Sequence, residues 1–105
     1  SFLKQRIGRA AAYIARFEAA AAHEAARRGL DGVICGHIHH AALRDIHGVL
    51  YCNDGDWVES CTALVERSDG ALEILRWNAR QATVIDREPR GVPETAPAPG
   101  WATGW

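Results

Sequence analysis

The sequence predicts an α/β fold: one long helix, a buried strand, then antiparallel strands and hairpins. Three observations carry that expectation. Apolar residues recur at helical spacing through the first 29 positions, and a short apolar run, Val33-Ile34-Cys35, follows at once. Alternating segments separated by glycine-containing turns then continue to Trp77.

Leu3, Ile7, Ala10, Ile14, Phe17, Ala21 and Ala25 recur at spacings of three or four, which puts them on one narrow face of a helix over 2–29. Ten alanines between Ala10 and Ala26 favour that helix, Glu24 and Arg28 form an i,i+4 pair, and Gly29 is a natural stop. Such a helix is expected to cover one face of a sheet. Asp31-Gly32 turns the chain into the strand 33–35. Segments 41–46 and 49–53 read as strands around a tight His47-Gly48 turn, and Asn53-Asp54-Gly55-Asp56 is loop chemistry. A longer strand is expected over 58–67, with Cys61, Ala63 and Val65 on one side and Thr62 and Leu64 on the other. Ser68-Asp69-Gly70 turns it into a partner strand over 71–77.

Beyond Asn78 the pattern weakens to a short extended piece near 83–85. From Pro89 onward all four prolines and three glycines fall within seventeen residues, the composition of a disordered tail. The organisation expected is therefore a domain over 1–77 and an extended, Pro/Gly-rich tail over 78–105. The order of elements resembles the second half of an α/β sandwich. A chain without methionine that opens on Ser1 fits the tail end of a longer protein.

Composition narrows the function. Twelve basic against 13 acidic side chains, a net charge of -1, give no electrostatic basis for nucleic-acid binding. No apolar run approaches the roughly 20 residues of a membrane span. Three cysteines, an odd number without regular spacing, point to free thiols in a reducing, cytoplasmic setting.

Four of the five histidines fall between His37 and His47. Imidazole is neutral near pH 7 and offers a lone pair, so Gly36-His37-Ile38-His39 at the end of a buried strand reads as a metal-ligating loop. In an extended backbone His37 and His39 share a side, while His40 points away and is a candidate substrate contact. His23 and His47 read as an exposed helix residue and a turn residue. A calcium loop starting at Asp54 fails because Val65 stands at its twelfth position.

Gly36-His37-Ile38-His39, preceded by Asp-Gly-Val-Ile-Cys and followed by Asn53-Asp54-Gly55-Asp56-Trp57-Val58, resembles the C-terminal portion of calcineurin-like metallophosphoesterases. Within that superfamily it is most similar to the bacterial UDP-2,3-diacylglucosamine diphosphatase branch, a class of lipid A synthesis. The resemblance covers residues 1 to about 77. It implies the C-terminal half of a two-sheet metallophosphoesterase sandwich, with two divalent metal ions, manganese first and zinc or iron as alternatives. His37 would ligate one ion and His39 the other, with His40, Asn53 and Asp56 as outer partners of the imidazoles or substrate contacts; for Asn53 and Asp56 a turn-forming role is the equal alternative. The substrate would be a phosphorylated small molecule or lipid-linked nucleotide, split to a lipid monophosphate and UMP, with peripheral association at an inner membrane. The family's Asp-x-His, Gly-Asp and Gly-Asn-His motifs precede the histidine pair. Here Asp45-Ile46-His47 and Gly55-Asp56 follow it, so the missing N-terminal half of the domain is the partner this chain needs. The alternative is a small non-enzymatic module. It would bind one metal through His37, His39 and Cys35 or Cys52, or assemble with a partner through a sheet edge.

Overall fold

A computed structural model describes residues 2–89 and 100–104. The chain is a small α/β domain with one long helix and two small sheets. Helix α1 spans Phe2–Arg27 and is followed by strands β1 (Gly32–Cys35), β2 (Ala42–Ile46), β3 (Val49–Asn53), β4 (Thr62–Glu66), β5 (Leu72–Trp77), β6 (Ala82–Arg87) and β7 (Trp101–Gly104). The first sheet has the order β2-β3-β1-β7 and the second β4-β5-β6. In the first, β1 lies parallel to both β3 and β7, and β2 runs antiparallel to β3. The second is antiparallel throughout.

Helix α1 stops two residues earlier than the spacing predicts. Gly29 takes φ 70, Leu30 N–H reaches Ala25 C=O at 2.9 Å and Gly29 N–H reaches Ala26 C=O at 3.0 Å, a Schellman closure. This end fixes the helix against the sheet. Ala21, Ala22 and Ala25 pack with Val33, Cys35, Ala42, Val49 and Tyr51, bordered by Phe17, Leu30 and Ile46. The alanines bury little area each, but they let the helix approach the strands closely. Glu18 is buried beside them and pairs with Arg44 of β2, while its second oxygen has no partner among the described residues.

The opposite face of the first sheet forms a second core. Leu43, Leu50 and Cys52 meet Leu72 and Ile74 of β5, with Ile34, Leu64 and Trp101 at the margin. Period-two alternation along β3 sends Val49 and Tyr51 to the helix and Leu50 and Cys52 to the second sheet. The layers are therefore helix, mixed sheet, antiparallel sheet.

Two expectations are corrected. The strand predicted over 58–67 begins only at Thr62, because residues 56–61 close into a side-chain-capped loop and Cys61 takes φ 52. The short extended piece expected near 83–85 is a full strand, 82–87, of the second sheet, and within the tail expected to be disordered 101–104 is a strand of the first. Residues 90–99 of that tail lie outside the described residues. Strand β7 docks because Gly32 has no side chain. A Cβ there would lie 2.5 Å from the Trp101 ring. Gly100 C=O accepts from Asp31 and Gly32 N–H, and Asp31 Oδ2 accepts from Gly100 N–H, which sets the parallel register.

Trp101→Ala is expected to destabilise the domain by about 2 kcal/mol, below the range for a fully buried tryptophan because Trp101 is only half-buried. Gly32→Ala is expected to cost about 1–3 kcal/mol through overpacking against that ring. In urea denaturation the double variant should lose less than the sum, since the clash disappears with the indole; strict additivity would show that the two do not meet.

Candidate metal-ligand loop

Parallel β1 and β3 end at the same edge of the sheet, so the loops that leave them lie side by side. The first carries Gly36 to His40, the second Asn53 to Cys61. They are stitched together by Asp54 N–H to Cys35 C=O at 3.2 Å and by Asn53 Nδ2 to Gly36 C=O at 3.0 Å. The structure thus unites the two sequence segments that carry the family resemblance.

His37 and His39 do not sit on an extended backbone. Their φ values are 69 and 53, the left-handed region that β-carbon sterics disfavour. The period-two argument for placing both rings on one side therefore does not apply. Ile38 N–H instead bonds Gly36 C=O at 2.8 Å, which makes His37 the corner of a γ-turn of the strained, positive-φ kind. Both imidazoles are exposed, as is His40, which stands two residues before β2. The His37 ring lies against Phe17 of α1, centroids 6.2 Å apart and planes 29° apart. Sequence reading assigned Phe17 to the helix stripe alone; the ring contact needed the helix to be placed against the sheet edge.

Asn53 and Asp56 do not reach the imidazoles as outer partners were expected to. Asn53 is fully buried: Nδ2 donates to Gly36 C=O and to the Tyr51 hydroxyl at 3.1 Å, and Oδ1 accepts from Gly55 N–H at 3.0 Å. Asp56 Oδ1 accepts from the backbone N–H groups of Val58, Glu59 and Ser60 at 3.0, 2.6 and 3.0 Å. Those bonds favour the charged carboxylate and pull its pKa down to about 2. Thr62 closes the loop, its N–H on Asp56 C=O and its hydroxyl on Asp54 C=O. The result holds Trp57 and Val58 in solvent, 63% and 88% exposed.

The two buried thiols belong to the cores, while Cys61 closes the second loop with its Sγ 3.7 Å from Trp57 C=O. Cys35 faces the helix and Cys52 the second sheet, so adjacent strands send them into different cores. Burial, then the nearby Asp54 charge, pushes the Cys35 thiol up to about 11, which disfavours a thiolate ligand. Among the described residues no group of three or more His, Cys, Asp or Glu side chains could hold a metal. His37 and His39 by themselves therefore form no metal-holding group among the described residues. No helix among the described residues is long and apolar enough to cross a membrane. No family model, curated protein or solved structure matches the chain.

The Asp56 cap yields a pH test. Its folded pKa lies below the ordinary 3.8, so its stabilising contribution is present above that value and is lost as pH falls toward about 2. A carboxyl NMR titration should place its midpoint near 2, and Asp56→Ala should remove this acid-sensitive contribution to the loop. A midpoint at 3.8 would mean that the three amides do not hold the carboxylate in solution.

Proposed function

We propose that residues 1–77 are the C-terminal portion of a metal-dependent phosphoesterase and supply its last two metal ligands, His37 and His39. The observation that carries this reading is the pair of strained, exposed histidines at the C-terminal edge of parallel β1, beside the loop from Asn53 to Asp56. Strain of this kind is maintained where a side chain must be aimed, and costs about 1–3 kcal/mol per residue. Exposed imidazoles on a short turn can each donate a lone pair to an ion.

Helix α1 gives a second support. It is 26 residues long, about 39 Å, whereas β1 spans only about 13 Å. The core-facing residues run from Phe17 to Ala25, with Phe17 level with the histidine loop. The preceding half therefore overhangs the sheet edge, with Ile7 63% and Tyr13 49% exposed. The stripe that covers the sheet continues there, and among the described residues its N-terminal positions join neither core. Further polypeptide carrying Asp-x-His, Gly-Asp and Gly-Asn-His would cover that face and bring the remaining ligands. Bound divalent ions, manganese first, would supply a nucleophilic hydroxide and neutralise charge on the phosphoryl oxygens.

In this reading the chain's own residues present the two rings, brace their loop from behind and hold one wall of the site with α1. His40, exposed on the same loop, would contact substrate. A nucleotide-linked lipid diphosphate is the substrate the resemblance favours.

The test joins this chain to a polypeptide bearing the three upstream motifs. The reconstituted protein should bind two Mn²⁺ and hydrolyse bis(p-nitrophenyl) phosphate, and His37→Asn or His39→Asn should lower turnover at least 100-fold, on the order of other losses of an essential catalytic group. The chain alone should show no turnover. Tight binding of one ion by the chain alone, with no hydrolysis after reconstitution, would favour the non-enzymatic module instead.

A further inference from the structure

We infer that Asn53 is the positioning residue of the histidine loop, acting on the Gly36 carbonyl and not on either imidazole. The geometry is specific. Gly36 C=O accepts two donors, Ile38 N–H at 2.8 Å from within the γ-turn and Asn53 Nδ2 at 3.0 Å from the neighbouring strand. A carbonyl with two lone pairs is thereby fully engaged, and the turn that forces His37 to φ 69 is clamped from outside.

Asn53 itself has little freedom to do otherwise. It is 0% exposed, and its second Nδ2 hydrogen is taken by the Tyr51 hydroxyl. Its Oδ1 is taken by Gly55 N–H, where φ is 77 and a Cβ would lie 2.0 Å from Thr62 Oγ1. One carboxamide therefore braces the loop after β1, the body of β3 and the loop after β3. The Tyr51 hydroxyl, pushed up to about 12 chiefly by burial, stays protonated and neutral at any working pH.

Aspartate at position 53 keeps the shape and removes both donors. A carboxylate would then face the Gly36 carbonyl, and the strained turn would lose its outer clamp. His37 and His39 would remain present but no longer held in one arrangement, which weakens an ion bound between fixed ligands. Partners bonded directly to a ligating side chain typically carry 10–100-fold in metal affinity, and a clamp on the ligands' own turn is expected at the lower end of that range.

The inference rests on the phosphoesterase reading only in its metal arm, and the experiment separates the two. Ni²⁺ alone is titrated into the chain by calorimetry at 25 °C, and hydrogen exchange of the Ile38 amide is followed by NMR. Wild type, Asn53→Asp, Tyr51→Phe and Ile74→Ala are compared, the last as a core variant that lowers stability away from the loop. The expected result is at least ~10-fold weaker Ni²⁺ binding and loss of Ile38 protection in Asn53→Asp. Tyr51→Phe, which keeps the Gly36 bond, and Ile74→Ala should retain both. Unchanged affinity and protection in Asn53→Asp would overturn the inference, as would equal losses in Ile74→Ala. If wild type binds no Ni²⁺ through His37 and His39, the metal-ligand reading fails, and Ile38 protection across the same variants decides the positioning role by itself.

Discussion

β3 has no side that faces water. All five of its residues are buried, Val49 and Tyr51 against α1 and Leu50 and Cys52 against the second sheet. A strand of this kind is stable only if both faces are covered, and hydrophobic burial of about 25 cal/mol per Å² is the main term that favours covering them. The three layers follow from that demand. The helix answers it with alanines that permit close approach, the second sheet with Leu72 and Ile74. Strand β1, paired parallel along one edge of β3, is held in place by the same two cores.

Because that central pair is rigid, the loops at its ends inherit fixed positions. Three non-glycine residues there, His37, His39 and Cys61, take positive φ. Each such conformation is costly, and hydrogen bonds to residues distant in sequence offset the cost: Asn53 to Gly36 on one side, Trp77 N–H to Cys61 C=O on the other. The Asp56 cap serves the neighbouring loop in the same way and keeps Trp57 and Val58 out of either core. Electrostatics reinforces the frame at one buried point. Glu18, 6% exposed at its side chain, is taken from water only in contact with Arg44, which ties α1 to β2.

Among the described residues no third His, Cys, Asp or Glu joins His37 and His39 in a group that could hold a metal. The helix continues past the edge they occupy with apolar residues still on its sheet-facing stripe. Under the proposal above, a site completed by other polypeptide would account for both features.

What could be read directly from the residues was what depends on near neighbours. The helix and its glycine stop follow from 3.6-residue periodicity and from the ease with which Gly29 takes φ 70. The hairpin at His47-Gly48 follows from a turn that needs positive φ at both positions, here 49 and 87. The buried strand before the histidines was legible from its apolar run, and the loop itself from its histidine spacing. Tertiary structure alone decided the rest, because each remaining feature depends on contacts across the fold. Asp56 capped its loop where alternation favoured a strand, Trp101 found the bare backbone of Gly32, and the Asn53 carboxamide met the carbonyl of Gly36, 17 residues away, at the turn that carries His37. Local periodicity carries no record of such partners, so only the assembled chain could show that the two histidines sit on a braced turn and not on an extended strand.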